Sequence, residues 1–185
     1  MPELNIVARS VHDLGLAAWF GGSAMGAIGL HGAAETVADE RERAGVVTAG
    51  WNRWSPVQNA GVAAHLVTAA VITRANRGRL AGQRGVAPAG LAKGALTAAA
   101  VAATAYAAWL GNRMDRAQDP PVAEATEPTV ETPPEVARAQ RRLGVVQWTV
   151  PALTGALVVL NAWMGEQQRP KAVAAGAARR LLPFA

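Results

Sequence analysis

Six polar side chains stand inside, or at the edge of, stretches that otherwise carry no charge: His12, Asp13, Gln58, His65, Gln147 and Asn161. Imidazole, carboxylate and amide groups hold protons, ions and small polar ligands, and such groups within an apolar span are functional candidates. His65 lies deepest of the ionisable ones. Asp13 can act with His12 or His65 as a proton relay; it also falls one turn after Arg9, a spacing that predicts an interfacial ion pair. Gln58, Gln147 and Asn161, with Thr154, either line a path for a small molecule or ion or bond one helix to another, at roughly 0.6–2 kcal/mol each. His31 is nearer the far boundary, where a solvated ring is expected.

A histidine pair also raises axial ligation of haem. The depths of the two rings oppose it: at a rise of about 1.5 Å per residue, His12 sits roughly 6 Å and His65 roughly 13 Å from the inner boundary. No cofactor is expected, and no metal: the chain has no cysteine and only four scattered methionines. It contains no phosphate loop, zinc-ligand spacing, or nucleophile with a supporting base, so no enzymatic reaction is expected either.

The elements that must carry these residues are four uncharged runs, Leu14–Ala34, Trp54–Thr73, Gly94–Asn112 and Leu143–Gly165. Each is about the 20 residues a helix needs to cross the hydrocarbon, and in lipid the backbone must satisfy its own polar groups. The expected fold is all-α, a transmembrane four-helix bundle forming one membrane domain, with spans at about 10–34, 54–73, 92–112 and 143–165. Hydrophobic residues make up 51% and charged residues 17%. The mean hydropathy is only +0.12, because polar connectors dilute the spans and Ala and Gly replace Leu. A soluble bundle would place charges every third or fourth residue along each helix; these runs have none.

The net charge of +5 is explained by basic residues beside the spans rather than by nucleic acid. The expected partners are the lipid bilayer and other membrane proteins. The N-terminus, second connector and C-terminus share one side, with ten basic residues against three acids; the other side holds eight against ten. The short second connector, basic and free of acids, fixes the orientation: an inner-membrane, multi-pass protein with both termini cytoplasmic. Glu3 and Asp13 precede the first run, which is too long for the core of a cleaved signal peptide and is expected to remain as a span.

The third connector, 117–136, is acidic and proline-rich, and its composition predicts an extended or disordered segment. The first, 35–53, has mixed charges that favour a short exposed helix. Trp51 and Trp54 at the entry to the second run, with Trp109 and Trp163, fit an interfacial aromatic belt. Lys171–Ala185 is basic and suits the anionic inner leaflet. The packing face of the first run is a stripe of small residues, Gly15, Gly22, Gly26 and Gly29, where close backbone approach replaces hydrophobic drive.

HDLGLAAWFGGSAMGAIGL (His12–Leu30), GW-x-RW-x-PV (Gly50–Val57), ANRGR (Ala75–Arg79) and QW-x-x-PALTGALVV (Gln147–Val159) followed by GEQQRP resemble a family of uncharacterised actinobacterial four-span membrane proteins. The HDLGLAAWFGG segment is also similar to the first span of small four-helix families related to copper-resistance proteins. The resemblance implies topology and carries no activity. The leading expectation is an accessory or interaction subunit of a membrane assembly. The alternative is a protein that binds or transports a small molecule, ion or proton through its polar interior, and the third is a haem-binding electron carrier.

Overall fold

A computed structural model of the chain describes residues 2–75, 86–117 and 121–166. The basic stretch 76–85 and the C-terminal stretch 167–185, with the expectations attached to them, lie outside the described residues. The described chain is all-α apart from one small hairpin. Helix α1 (Pro2–Met25) passes through a π-helical turn, Gly26–Leu30, into α2 (His31–Glu35). Then come α3 (Glu40–Ala75), α4 (Val86–Asp115), strands β1 (Val122–Glu124) and β2 (Glu127–Pro128), and α5 (Pro134–Glu166).

The helices overrun the uncharged runs at their ends. Most of the first connector is the opening of α3, so only a tight turn separates it from α2. Thr36 Oγ1 donates to the Ala33 carbonyl at 2.7 Å as α2 ends. Asp39 then caps α3, its Oδ1 accepting from the Arg41 amide at 2.9 Å, and Glu40 and Glu42 follow in the first turn, where the helix dipole favours carboxylates. Pro56 and Pro151 sit inside continuous helices.

Helix α1 packs along α3, and α4 along α5. Contact between α1 and α5 joins the two pairs, whereas α3 and α4 meet at few points. The core lies where α1, α4 and α5 meet: Leu16, Trp19, Ala100, Val150 and Leu157, with Val62 of α3 against them. Trp19 is fully buried, and its indole N–H donates to Thr104 Oγ1 at 3.0 Å, so the largest core side chain also satisfies its one donor.

Two expectations about packing change. Gly22 and Gly26 do not bring two backbones together. A methyl group on Gly22 would meet the ring of Trp54, and one on Gly26 the ring of Trp51. These tryptophans are therefore wedged between α1 and α3. The close backbone approach occurs lower, at Gly15, where an added methyl would come within 2.5 Å of the Gly61 carbonyl oxygen. Gly29 faces only the Met25 side chain of its own helix.

The third connector is also not extended. Residues 121–133 fold into an antiparallel hairpin pairing Val122 with Pro128 and Glu124 with Glu127. Val122 and Ala125 are 1% and 4% exposed, and Ala125 joins Ala34 and Val47 in a second small core. Prolines leave carbonyls without matching donors nearby, and two side chains supply them. Thr132 Oγ1 donates to the Pro121 carbonyl at 2.6 Å, and Arg43 Nη1 to the Ala123 carbonyl at 2.6 Å. Arg43 Nε also donates to the Val37 carbonyl at 2.7 Å, so one guanidinium ties the α2–α3 turn to the hairpin. Composition could not reveal a donor held 80 residues away.

Two helices are long and apolar enough to cross a membrane: Pro88–Asp115, mean hydropathy 1.3, and Pro134–Glu166, mean hydropathy 1.8. Helices α1 and α3 fall short of that measure: α1 ends at Met25 and carries Arg9 and Asp13 ahead of its apolar part, and the apolar part of α3 contains Gln58, Asn59 and His65.

Candidate functional site

The lower ends of α1, α3 and α4 converge on a polar cluster. His12 lies on the inner face of α1 and is 2% exposed; His65 of α3 is fully buried. The close approach at Gly15 and Gly61 permits their meeting, since it sets α1 and α3 backbone to backbone next to His65. The two imidazoles lie in direct contact, with ring centroids 4.0 Å apart and tilted by 44°, and Trp19 presents its edge to His65 at 6.1 Å. Rings in such contact leave no space for an iron between them, so this arrangement is not a bis-imidazole haem site.

Hydrogen-bond partners assign the tautomers. Lys93 Nζ of α4 stands 3.1 Å from His12 Nε2. An ammonium can only donate, so Nε2 accepts and the ring proton sits on Nδ1. That nitrogen faces Asp13 Oδ1 at 3.1 Å, which accepts. The result is a continuous series, Lys93 to His12 to Asp13, in which each donor meets an acceptor. Asp13 thus pairs with His12, not with Arg9 as the one-turn spacing suggested: the neighbouring imidazole, held by Lys93, offers a fixed donor, whereas a flexible arginine pair at a boundary gains little. His65 Nδ1 lies 3.4 Å from the His12 carbonyl oxygen. It donates there, which leaves Nε2 as a buried acceptor without a partner.

A cavity of about 400 Å³ opens beside the cluster. Arg9, His12, Asp13, Lys93 and Asn161 supply its polar lining, and Leu16, Ile72, Val158 and Met164 much of its apolar wall. Asn161 Nδ2 is buried and unpartnered. The chemistry available is proton transfer along the Lys93–His12–Asp13 series, and binding of a polar or charged group between two cations, an amide and a carboxylate.

The structure therefore brings together His12, Asp13, His65 and Asn161. It keeps Gln58 and Gln147 apart from them. Gln58 is buried two turns above His65, with Oε1 unpartnered. Gln147 lies at the opposite end, its Nε2 3.5 Å from Thr126 Oγ1 of the hairpin. His31 is also there, 6% exposed rather than solvated, because α3 and the folded connector cover that end. Lys93 was not foreseen as a site residue. Read as a flank of the third run, it was simply a boundary charge; that it flanks that run as His12 and Asp13 flank the first was the one signal available.

No protein-family model, curated protein or solved structure matches the chain.

Proposed function

We propose that this is an integral membrane protein whose four long helices all cross the bilayer, and that it binds a proton or small polar ligand at the His12–Asp13–Lys93–His65 cluster. On this reading both termini are cytoplasmic and the cluster lies at the inner end; the protein's kin are the four-span proteins its span motifs resemble. The observation that carries the site is the donor–acceptor series itself, with Asn161 and a cavity beside it. Buried polar groups ordinarily find a partner, and His65 Nε2 in the cluster and Asn161 Nδ2 beside its cavity have none.

Membrane residence is supported by the outer surface. Large apolar side chains point away from the core on each of the four long helices and the π turn: Leu14, Ile28, Val67, Leu91, Val145 and Val159 are each at least 64% exposed. In the two apolar spans only 11% and 22% of the most apolar stretch is buried. A core helix of a soluble protein would be mostly covered, and a surface this apolar belongs against lipid or a partner.

The test is ligand-dependent thermal stability of the detergent-purified chain across ions, metabolites and pH. Any stabilisation should vanish in His65→Ala with Asn161→Ala while the helical circular dichroism persists. A ligand effect untouched by both changes would sink this reading.

A second reading, an accessory subunit, is favoured by α4. Added methyls at Gly94 and Gly111 would meet nothing, so its alanine-rich outer face is bare, and small residues are what lipid-embedded helices use to associate. A pull-down from native membranes that recovers a stoichiometric partner supports it, and a partner-free monomer counts against it.

A further inference from the structure

We infer that the cavity beside His12 is a seat for an anionic phospholipid, with the headgroup phosphodiester between Arg9 and Lys93 and the first apolar atoms against Ile72 and Val158. This rests on the membrane and binding reading above and names its ligand class. The argument is one of charge. With His12 neutral, as its hydrogen bonds require, the polar lining contains two cations and one carboxylate. Asp13 is 68% exposed and already engaged by His12, so it does not offset Arg9, which has no ion-pair partner among the described residues. Glu166, one residue beyond the rim at Gly165, is exposed and has an interaction of its own. Two cations facing one cavity at the inner bilayer edge attract anionic lipid, and a monoanion between them neutralises the excess charge.

Three features select a phosphate that carries a chain. Guanidinium and ammonium are the two cations that bind phosphate oxygens, the first in a bidentate fork and the second as a point charge. Asn161 lines the same cavity with a buried amide N–H₂ that has no acceptor, and an anionic oxygen would be one. The remaining wall is hydrocarbon, which suits the part of a lipid next to its headgroup and gives nothing to a free, fully hydrated ion.

The test uses the full chain in a neutral detergent, incubated with phosphatidylglycerol, phosphatidylcholine or inorganic phosphate, with bound molecules counted by native mass spectrometry. Phosphatidylglycerol should be retained about tenfold over phosphatidylcholine, equivalent to about 1.4 kcal/mol, which two basic groups near an anionic headgroup can supply. The preference should fall to near unity in Arg9→Gln and in Arg9→Gln with Lys93→Gln. It should survive Arg41→Gln with Arg53→Gln, which removes the same charge from the other end. If the double variant loses its helical signal, Arg9→Gln alone decides, because the Arg9 side chain makes no hydrogen bond among the described residues. Equal retention of the two lipids, a preference that survives Arg9→Gln, or one lost equally in the distant pair would each overturn the inference. Inorganic phosphate bound through Arg9, with no lipid preference, would overturn the lipid source and keep the phosphate chemistry. If no anion is retained but stabilisation through His65 and Asn161 persists with another ligand, only this inference falls; if both are lacking, the binding reading falls too.

Discussion

At the scale of the residue, the fold depends on a few side chains that meet hard limits of space or bonding. Gly15 is one: with the Gly61 carbonyl 2.5 Å from any added methyl, Gly15→Ala must push α1 away from α3. We expect a loss of about 1–3 kcal/mol, read as a lowered melting temperature in detergent. Gly21→Ala and Gly32→Ala, where a methyl meets nothing, should be neutral or slightly stabilising. Trp19→Phe removes the bond to Thr104 and opens a small void, at about 1–3 kcal/mol. Which glycines mattered was only partly legible in the sequence. A small-residue stripe says that something approaches closely, but Gly22 and Gly26 receive tryptophan rings and Gly15 receives a backbone, and only the partner helix decides which. The site was legible to a similar degree. His12, Asp13, His65 and Asn161 stood out as polar groups in apolar runs. Lys93 did not, because a lysine at a span boundary has a sufficient explanation in topology.

At the scale of the element, the helices were readable because each is built around a long uncharged run, while their ends were not. Capped, charged turns such as Asp39 with Glu40 and Glu42 prolong a helix past the apolar run without changing its composition signal. The hairpin was hidden for another reason: its order comes from Arg43, Thr132 and the buried Val122, not from its own apolar content. Arg43→Ala should therefore expose residues 121–133 to limited proteolysis while leaving the four helices intact by circular dichroism. Glu124 adds a pH dependence to this cap. Partial burial raises its carboxyl above the ordinary glutamate range, helped by Glu35 and Glu127 and opposed by Arg43. A raised value means that the folded cap prefers the protonated acid. Its stabilisation is complete below the ordinary glutamate range and is lost as pH rises through the raised value. Proteolysis of the cap should accelerate over that interval, and Glu124→Gln should flatten the dependence; an unchanged profile would show that Glu124 is not its source.

At the scale of the whole molecule, the account joins an apolar exterior, a polar cluster at one end and a folded cap at the other. Its central claim is that α1 and α3, despite their charged ends and polar interior residues, cross the bilayer as α4 and α5 do, so that cap and cluster lie on opposite sides. The absence of cysteine makes this directly measurable. Single cysteines at Ser10, Glu40, Arg74 and Glu131, all exposed, can be challenged with a membrane-impermeant maleimide on cells whose inner membrane is intact, then again after permeabilisation. The account predicts labelling of Glu40→Cys and Glu131→Cys in intact cells, and of Ser10→Cys and Arg74→Cys only after permeabilisation. Equal labelling of Ser10→Cys and Glu40→Cys before permeabilisation, or recovery of the protein in the soluble fraction, would contradict it.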